Sequence, residues 1–466
     1  MEKPQELIRT ETSTGRKLLY AFPRLGTSIV LGIESWALLT LYTSGFELDS
    51  ILTGFALAMG YLTIALAQFA FGWLSDMKYT KMGRRKPYLL IFAPLLALSS
   101  IFLLLPDLFL DLNDKFSLFL WLLIWDIVFR ASYACTTPYQ AWMAELFKIE
   151  DRPKTSQYQN TFNFIGNGIM SLFTLLILTN YIRVLETVRE TTPSPPYIYP
   201  SAPILYLLPI IIFGILVFAL FYLLTFRMPT EPYYKIETKL MESLKVTLRN
   251  RNFMKVVLMV GISGFGWTMI STGMLKYAQE ALHLGFTDYI IVAVSLLLSI
   301  FIFLYIWRKL IERKGKKPSL LYVFLLAIIF MPITLLALIP MSDYLILGII
   351  YILGIGAILG GWFLFPYIVY ADIAEDDEKS TGDLKAGIYA GFPSIILNIF
   401  QAIAVFLNGL LFALPSISNG IGDPFTLGLV IFGPITSIIL LVSYFYTKKF
   451  VKLDFKWEGE PQKLKG

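Results

Sequence analysis

The chain of 466 residues is 56% hydrophobic and only 15% charged, with a mean hydropathy of +0.66, whereas soluble domains are about 45–50% apolar. A water-soluble protein of this composition would expose large apolar patches, so the composition indicates a protein embedded in a lipid bilayer. One cysteine, Cys135, and one histidine, His283, exclude disulfide frameworks and His/Cys metal sites. The chain has a net charge of +6, but its charged residues lie between apolar segments and not on one face of a soluble domain. This distribution argues against nucleic-acid binding.

Twelve apolar segments are long enough, at about 20 residues each, to cross a membrane as helices. They are called spans 1 to 12 below and begin near Arg24, Ile51, Tyr88, Phe116, Gln159, Ala202, Phe253, Gly285, Ser319, Tyr344, Ala386 and Phe425. The sequence therefore predicts an all-α integral membrane protein with twelve transmembrane helices.

Lysine and arginine are concentrated on one side of the predicted spans. The two terminal segments and the loops on their side carry 34 of the 39 basic residues. Because basic loops stay in the cytoplasm, we expect a multi-pass protein of the cell membrane with both termini cytoplasmic. On the other side, the longest loop runs from Arg183 to Pro200, and its prolines predict a stiff connector.

The chain repeats itself at a fixed offset. Trp36 and Trp267 are 231 residues apart, and so are Pro87 and Pro318. Two landmarks with one offset indicate two copies of a six-span unit. We therefore predict an N-terminal six-helix bundle of residues 1–226, a cytoplasmic linker of residues 227–252 and a C-terminal bundle of residues 253–466. Two such halves with a site between them are the plan of secondary transporters.

Polar side chains within the spans mark the candidate site, because each is costly in lipid. In span 4 they share one helix face: Asp126, Arg130, Tyr133, Thr137 and Gln140. Asp126 and Arg130 either neutralise one another or form a site where a carboxylate gains and loses a proton. Glu34, in the middle of span 1, is the second candidate for proton coupling. It should be protonated or meet a cation from another span.

Amide and aromatic side chains are the candidates for substrate binding. The amides lie in spans 2, 5 and 11: Gln68, Asn160, Asn163, Asn167, Asn398 and Gln401. Amides donate and accept hydrogen bonds, which suits sugar hydroxyls, although they also join helices in membranes. Trp36 and Trp267 occupy equivalent places in the two halves, where they could offer ring faces to a sugar or simply pack.

One loop carries a family resemblance. The stretch FGWLSDMKYTKMGRRKPYLL joins spans 2 and 3 and contains Gly72, Ser75, Asp76, Gly83, Arg84, Arg85, Lys86 and Pro87. It resembles the loop motif of the major facilitator superfamily. Its SD…GRRKP form is similar to that of the glycoside-pentoside-hexuronide:cation symporters and, more closely, of the sucrose transporters. The stretches GIESWALLTLY in span 1 and PYQAWMAEL in span 4 resemble the same pattern.

The resemblance implies the major facilitator fold, in which two pseudo-symmetric six-helix bundles work by alternating access. It also implies that the loop is a conformational latch in which Asp76 pairs with Arg84 or Arg85. The latch residues on this interpretation are Gly72, Asp76, Gly83, Arg84, Arg85 and the acidic residues that close spans 4 and 10, Glu145 and Asp372.

The sequence departs from these relatives at positions that matter for coupling and substrate. Sodium-coupled relatives carry two carboxylates in span 2 where this chain has Ile64 and Gln68, so a sodium site would lack anionic oxygens. Proton coupling through Asp126 or Glu34 is therefore preferred. The span 4 carboxylate of sucrose transporters aligns nearer Phe129, and their arginine is Gln140 here, which weakens sucrose itself as the substrate.

We interpret the chain as a secondary active transporter of a sugar or glycoside, for example a disaccharide, coupled to protons. The open alternatives are an uncoupled facilitator, an exporter of a sugar or another small polar solute, and a sensor that has the fold without transport. The sequence contains no G-x-x-x-x-G-K-[ST] loop for a pump, and we expect no enzyme activity, metal or cofactor. The expected partners are the sugar, protons and the bilayer, and the expected state is a monomer.

Overall fold

The computed structural model describes the backbone of residues 13–147, 151–192, 195–231, 248–284, 286–362, 364–365, 373, 386–420 and 423–453. In that part of the chain, twelve helical segments are long and apolar enough to cross a membrane. The predicted number of spans is therefore confirmed.

The N-terminal half is built from six spans, three of which contain an irregular turn. Its helices are Thr14–Ala21, Pro23–Thr40 and the π-helical Leu41–Gly45 in span 1, Ser50–Met77 in span 2, Lys86–Leu104 in span 3, Lys115–Tyr133 and Thr136–Leu146 in span 4, Arg152–Leu172, the π-helical Phe173–Leu178 and Thr179–Thr191 in span 5, and Ile204–Arg227 in span 6. A 3-10 turn, Pro106–Leu108, follows span 3. Asp49 and Asp114 cap the starts of spans 2 and 4 by accepting hydrogen bonds from backbone N–H groups.

The C-terminal half repeats this plan. Its helices are Arg251–Lys276 and the π-helical Tyr277–Ala281 in span 7, Phe286–Lys314 in span 8, Lys316–Phe330 and the 3-10 Met331–Leu338 in span 9, Leu345–Trp362 in span 10, Ala386–Phe412 in span 11, and Gly428–Phe450 in span 12. Two short antiparallel strands, β1 (Ser416–Ile417) and β2 (Phe425–Thr426), connect spans 11 and 12.

The repeat extends to single hydrogen bonds. Lys86, at the start of span 3, donates to the carbonyl of Met228 at the end of span 6, at 2.7 Å. Lys317, at the start of span 9, donates to the carbonyl of Val451 at the end of span 12, also at 2.7 Å. In both halves a lysine before a proline therefore caps the carbonyl end of the last helix, where cations are favourable.

The prediction that residues Arg183 to Pro200 form a stiff connector was wrong for the part up to Thr191, which is helical. The helix of span 5 continues to Thr191, because the prolines of this stretch come only after that residue and nothing before them breaks the helix. Arg183 and Arg189 are consequently helical residues, and their side chains are positioned by span 5.

The two halves meet mainly where span 2 packs against span 11 and span 1 packs against span 7. Spans 2 and 11 approach each other closely at Gly54 and Gly409. A Cβ atom at Gly409 would lie 2.5 Å from the carbonyl oxygen of Ser50 and 3.0 Å from the Cα of Gly54. Glycine at both positions is thus required for this approach of the two helices.

Candidate functional site

A buried ion pair joins spans 1 and 4 inside the N-terminal half. Arg130 donates from Nη2 to Glu34 Oε1 at 2.6 Å and from Nε to the same oxygen at 3.1 Å. Ser35 Oγ donates to the other Glu34 oxygen at 2.9 Å. Glu34 is 5% exposed and Arg130 2%. Of the two outcomes that the sequence left open for Glu34, the structure has the second, in which Glu34 meets a cation from another span.

Asp126 lies one helical turn before Arg130 and is completely buried. The guanidinium is directed to Glu34, and no described residue donates a hydrogen bond to either oxygen of Asp126. The Asp126 carboxyl lies near the Glu34 carboxyl. Two carboxyl groups can form a hydrogen bond only when one of them carries a proton. The ion pair of Arg130 is with Glu34 of span 1. The described residues include no ion pair between Arg130 and Asp126, its neighbour along span 4.

Span 2 closes over these charges with Gly60 and Tyr61. A Cβ atom at Gly60 would lie 1.8 Å from Asp126 Oδ2, so only glycine leaves room for the carboxyl group. The Tyr61 ring centre lies 3.7 Å from the guanidinium carbon of Arg130. This cation–π contact stabilises a guanidinium that has lost its water.

The charges of this cluster do not balance. Among the described residues, the charged groups of this cluster are Glu34, Asp126 and Arg130. The cluster therefore has two carboxyl groups for one cation. With both carboxyl groups ionised, the buried cluster carries one net negative charge, an arrangement that is costly inside a membrane. One added proton would make the cluster neutral.

Several predicted binding residues lie at the meeting of the halves. Gln68 of span 2 accepts from the Asn398 amide of span 11 at 3.5 Å, and this is a contact between the two halves. Gln401 donates to Thr268 of span 7 at 3.1 Å, within the C-terminal half. These amides therefore form hydrogen bonds between helices and are close to the interface at the same time.

The polar faces of spans 4 and 5 become more exposed toward the end of the bundle where the termini lie. In span 4, Tyr133 is buried, Thr137 is half-buried and Gln140 is exposed. In span 5, Asn167 and Asn163 are half-buried and Asn160 is exposed. Asn163 accepts a hydrogen bond from Ser28 of span 1 at 2.5 Å.

The two tryptophans at equivalent sequence positions have little exposed surface. Trp36 is 8% exposed and Trp267 is 3% exposed. Trp267 packs against Phe324 and Trp362, with ring centres 6.1 and 5.3 Å away, inside the C-terminal half. Its indole N–H has no hydrogen-bond partner among the described residues. The structure thus places Trp267 in an aromatic cluster formed by spans 7, 9 and 10.

A second set of polar contacts joins the halves at the end away from the termini; we call them the outer contacts. Lys276 Nζ lies 2.7 Å from Ser44 Oγ, 3.0 Å from Thr43 Oγ1 and 2.5 Å from Glu280 Oε1. Ser44 also donates to Glu280. The remaining outer contacts are the hydrogen bonds from Gln279 to Glu186 at 3.1 Å and from Arg183 to the carbonyl of Leu284 at 2.8 Å.

These contacts define the conformation. Among the described residues, side chains form hydrogen bonds between the halves at two places. These are the outer contacts and the Gln68–Asn398 pair near the middle of the spans. The close crossing at Gly54 and Gly409 is at the outer end as well. The bundle is therefore closed at the end away from the termini, and its exposed polar residues face the other end.

We predict that Lys276→Gln weakens closure at the outer end. Charge-assisted hydrogen bonds are worth about 1.5–3 kcal/mol each. This change removes the cation that contacts Thr43 and Ser44 of the other half and leaves only the direct hydrogen bond from Ser44 to Glu280. The measurement is the spin-label distance between cysteines introduced at the exposed residues Glu190 and Ser342, in a Cys135→Ser background. A longer distance should become populated.

The matched control for that prediction is Lys115→Gln. Lys115 lies at the same end but binds the carbonyls of Phe46 and Leu112 within one half. Its removal should leave the distance distribution as in the parent protein. Identical distributions for Lys276→Gln and the parent would show that Lys276 does not hold the outer end closed.

The loop between spans 2 and 3 is held by charged contacts to span 4. Arg85 donates to Glu145 at 2.5 and 3.4 Å and to Ser75 at 2.6 Å, and both ionic side chains are buried. Gly83 has a φ of +94°, a conformation that glycine adopts without strain. Gly72 lies beside Thr137 of span 4. The side chain of Asp76 and the whole of Asp372 lie outside the described residues.

Glu231 is a member of this loop site that the sequence did not reveal. It follows span 6, is 1% exposed, and accepts a hydrogen bond from the backbone N–H of Arg84. Its carbonyl accepts from the Tyr79 hydroxyl at 2.9 Å. A Cβ atom at Gly83 would lie 2.5 Å from Glu231 Oε1, so the glycine turn and the carboxylate fit together.

Because Glu231 supports the loop, Glu231→Ala should loosen it. The change leaves a buried N–H without an acceptor, which costs about 1–3 kcal/mol. Glu231→Gln keeps an acceptor and should cost less. The measurement is the rate of trypsin cleavage after the exposed Lys78 and Lys81 together with the melting temperature.

The control for the loop is Glu312→Ala. Glu312 pairs with Arg308 at 3.0 Å near the equivalent loop of the C-terminal half, and both side chains are more than half exposed. Exposed pairs of this kind contribute little to stability. If Glu231→Ala behaved like Glu312→Ala, the carboxylate would not be supporting the loop.

A family model described as MFS/sugar transport protein matches residues 19–447 of the chain. The chain belongs to this family of the major facilitator superfamily. No curated protein matches its sequence significantly. The structure is similar to those of a D-xylose-proton symporter (TM-score 0.64, 15% identity, covering 94% of this chain and 97% of that chain) and the nucleoside transporter NupG (0.59, 14%, 93% and 98%).

A third solved structure has the same fold, that of a bacterial homolog of the human lysosomal transporter Spinster in an inward-facing, occupied conformation (TM-score 0.60, 13% identity, covering 93% of this chain and 94% of that chain). At these identities the likeness shows the fold. The family and the fold together make this chain a multi-pass membrane transporter of the major facilitator type.

Sequence reasoning missed several residues of these sites, and only some of them could have been found from a pattern in the sequence. Glu280 follows Lys276 by four residues, a spacing that indicates an ion pair on one helix face. Gly60, Tyr61 and Glu231 carried no such signal, because each acts on residues of another span.

Proposed function

We propose that this major facilitator protein moves a sugar or glycoside across the membrane by alternating access and that protons drive the movement. The observation that carries the proposal is the buried cluster of Asp126, Glu34 and Arg130, which has two carboxyl groups for one cation. When one added proton makes the cluster neutral, the protein can change between its two conformations at low electrostatic cost. The same cluster without that proton holds a buried net charge.

Protonation would also change the partners of Arg130. When Asp126 carries the proton, it donates to Glu34, and the guanidinium keeps Glu34 as its partner. When Asp126 is ionised, two carboxylates attract the same guanidinium, and Arg130 is pulled along span 4 toward Asp126. Arg130 is on the same face of span 4 as Tyr133, Thr137 and Gln140, so its movement would be transmitted to the polar stripe that contacts substrate.

The substrate class follows from the polar groups near the interface. The proposed binding residues are neutral and are amides, hydroxyls or tryptophans: Trp36, Gln68, Tyr133, Thr137, Gln140, Asn160, Asn163, Asn167, Trp267, Asn398 and Gln401. Groups that both donate and accept suit a neutral solute with many hydroxyls. Gln68 and Asn398 come from opposite halves, so a hydroxyl bound between them would contact both halves at once.

The proposed cycle uses the latch and the outer contacts in turn. The conformation described above, closed at the outer end, is the inward-facing one if the termini are cytoplasmic, as the basic loops indicate. Outward opening would separate Ser44 from Lys276 and Glu280 and bring the other ends of the halves together. The loop held by Arg85, Glu145 and Glu231 would then contact the C-terminal half.

The test is uptake by purified protein in liposomes, with a panel of labelled mono- and disaccharides and nucleosides. Each solute is offered with an imposed pH gradient, a sodium gradient or neither. Accumulation that requires the pH gradient supports the proposal. Equilibration without accumulation would identify an uncoupled facilitator, and movement of nucleosides but not sugars would overturn the substrate class.

A further inference from the structure

The two copies of the loop after the second span of each half differ in where their basic side chains lie. In the N-terminal copy, Arg84 and Arg85 are 2% and 3% exposed and form contacts inside the protein. In the C-terminal copy, the side chain of Arg308 is 76% exposed, and Lys309, Arg313 and Lys314 are exposed as well. The second copy therefore exposes four basic side chains, whereas the first copy exposes two, Lys78 and Lys81, and buries Arg84 and Arg85.

The end of span 12 adds further charge to the same surface. Lys317 of span 9 binds the carbonyls of Lys448 and Val451 at 3.1 and 2.7 Å, which joins the ends of spans 9 and 12. Gly315 alone connects the end of span 8 to the start of span 9. We call the resulting patch the basic surface. Its members are Arg308, Lys309, Arg313, Lys314, Lys448 and Lys449.

Within the described part of the chain, the basic surface contains more positive than negative charge. Glu312, which pairs with Arg308, is the acidic side chain that the described residues place among these cations. Among the described residues, the cations of this surface therefore outnumber the acidic side chains, and the surface lies where spans 8, 9 and 12 end. Like charges on one surface repel one another, and an anion bound there lowers that repulsion.

Aromatic rings hold the lysines of this surface at that level. Lys309 lies 4.5 Å from the ring centre of Tyr305, and Lys314 lies 4.8 Å from that of Tyr322. Lys448 and Lys449 have similar contacts with Tyr444 and Phe450. Tyr305, Tyr322 and Phe450 are exposed. Exposed aromatic rings at the ends of membrane helices lie among lipid headgroups, so the lysines above them are positioned there too.

We propose that the basic surface is a binding site for acidic phospholipid headgroups of the membrane leaflet that faces the termini. The headgroup phosphates would lie between the ends of spans 8, 9 and 12 and neutralise their lysines and arginines. Each basic residue near an acidic lipid surface contributes about 1 kcal/mol. Bound lipid would thereby stabilise the C-terminal half at the place where the N-terminal half uses internal ion pairs.

The experiment measures binding of phosphatidylglycerol to the purified protein by native mass spectrometry and by melting temperature in detergent. The variant is Lys309→Gln/Lys314→Gln. Its matched control is Lys78→Gln/Lys81→Gln, which removes the same number of exposed lysines from the N-terminal copy. Phosphatidylcholine and inorganic phosphate serve as the zwitterionic lipid and the free anion.

Phosphatidylglycerol should raise the melting temperature of the parent and of the control, and the variant, which lacks two of the lysines, should bind it about thirtyfold more weakly. Equal binding by variant and control would show that the lipid follows general basic charge and would overturn the site. Equal stabilisation by inorganic phosphate would assign the surface to a free anion. Both measurements are made without transport, so failure of the proposed transport function would leave this result unaffected.

Discussion

Asp126→Asn is expected to abolish uphill uptake of substrate while exchange of substrate across the membrane continues. Asparagine resembles the protonated aspartic acid in shape and charge, and its amide can donate to Glu34 as the proton would. The buried cluster then remains neutral with one ion pair, Glu34 with Arg130. A carrier that is neutral at all times can change conformation without a proton and so cannot use a proton gradient.

The measurements are accumulation under a pH gradient and counterflow without one, in proteoliposomes. Parent counterflow should fall as the pH rises and Asp126 loses its proton, whereas counterflow by Asp126→Asn should not depend on pH. The control is Asp107→Asn, a carboxylate in an outer loop that accepts from the backbone N–H of Ala202 at 3.1 Å. Burial raises the pKa of Asp107, yet its hydrogen bond is with the outer loop and not with Glu34 or Arg130, so this control should still accumulate substrate. Intact accumulation by Asp126→Asn would remove Asp126 from the coupling mechanism.

Arg130→Met is expected to lower the stability of the protein more than any other single change in the cluster. It leaves Glu34 and Asp126 buried without a cation, and loss of one partner of a buried ion pair costs about 3–5 kcal/mol. The Tyr61 ring would also lose its cation. The double variant Glu34→Gln/Arg130→Met removes one of the two carboxylates and should recover a large part of the loss.

The measurement is the melting temperature of each variant in detergent, with Arg308→Met as the control. Arg308 is paired with Glu312 on the surface, where an ion pair is worth at most about 1 kcal/mol. Two results would contradict this prediction: a small fall in melting temperature for Arg130→Met, or no recovery of the melting temperature in the double variant. Either would show that the ion pair between Glu34 and Arg130 does not stabilise the protein.

Much of the fold was predictable from the sequence because the bilayer restricts it. A helix must be about 20 apolar residues long to cross the hydrocarbon, so the number of spans follows from the apolar segments. The repeat followed from the offset shared by Trp36 with Trp267 and Pro87 with Pro318. The candidate cluster was also recognisable residue by residue, because Glu34, Asp126 and Arg130 are charged within spans where charge is rare.

The partners of these residues were decided only by the tertiary structure. Local spacing favoured a pair between Asp126 and Arg130, but the guanidinium binds Glu34, 96 residues earlier in the chain. The same applies to Glu231, which reaches the Arg84 backbone, and to Lys276, which reaches Ser44 of the other half. A charged side chain pairs with whichever opposite charge helix packing brings within about 3 Å. Periodicity along one helix reports its faces, and only the packing of helices decides which faces meet.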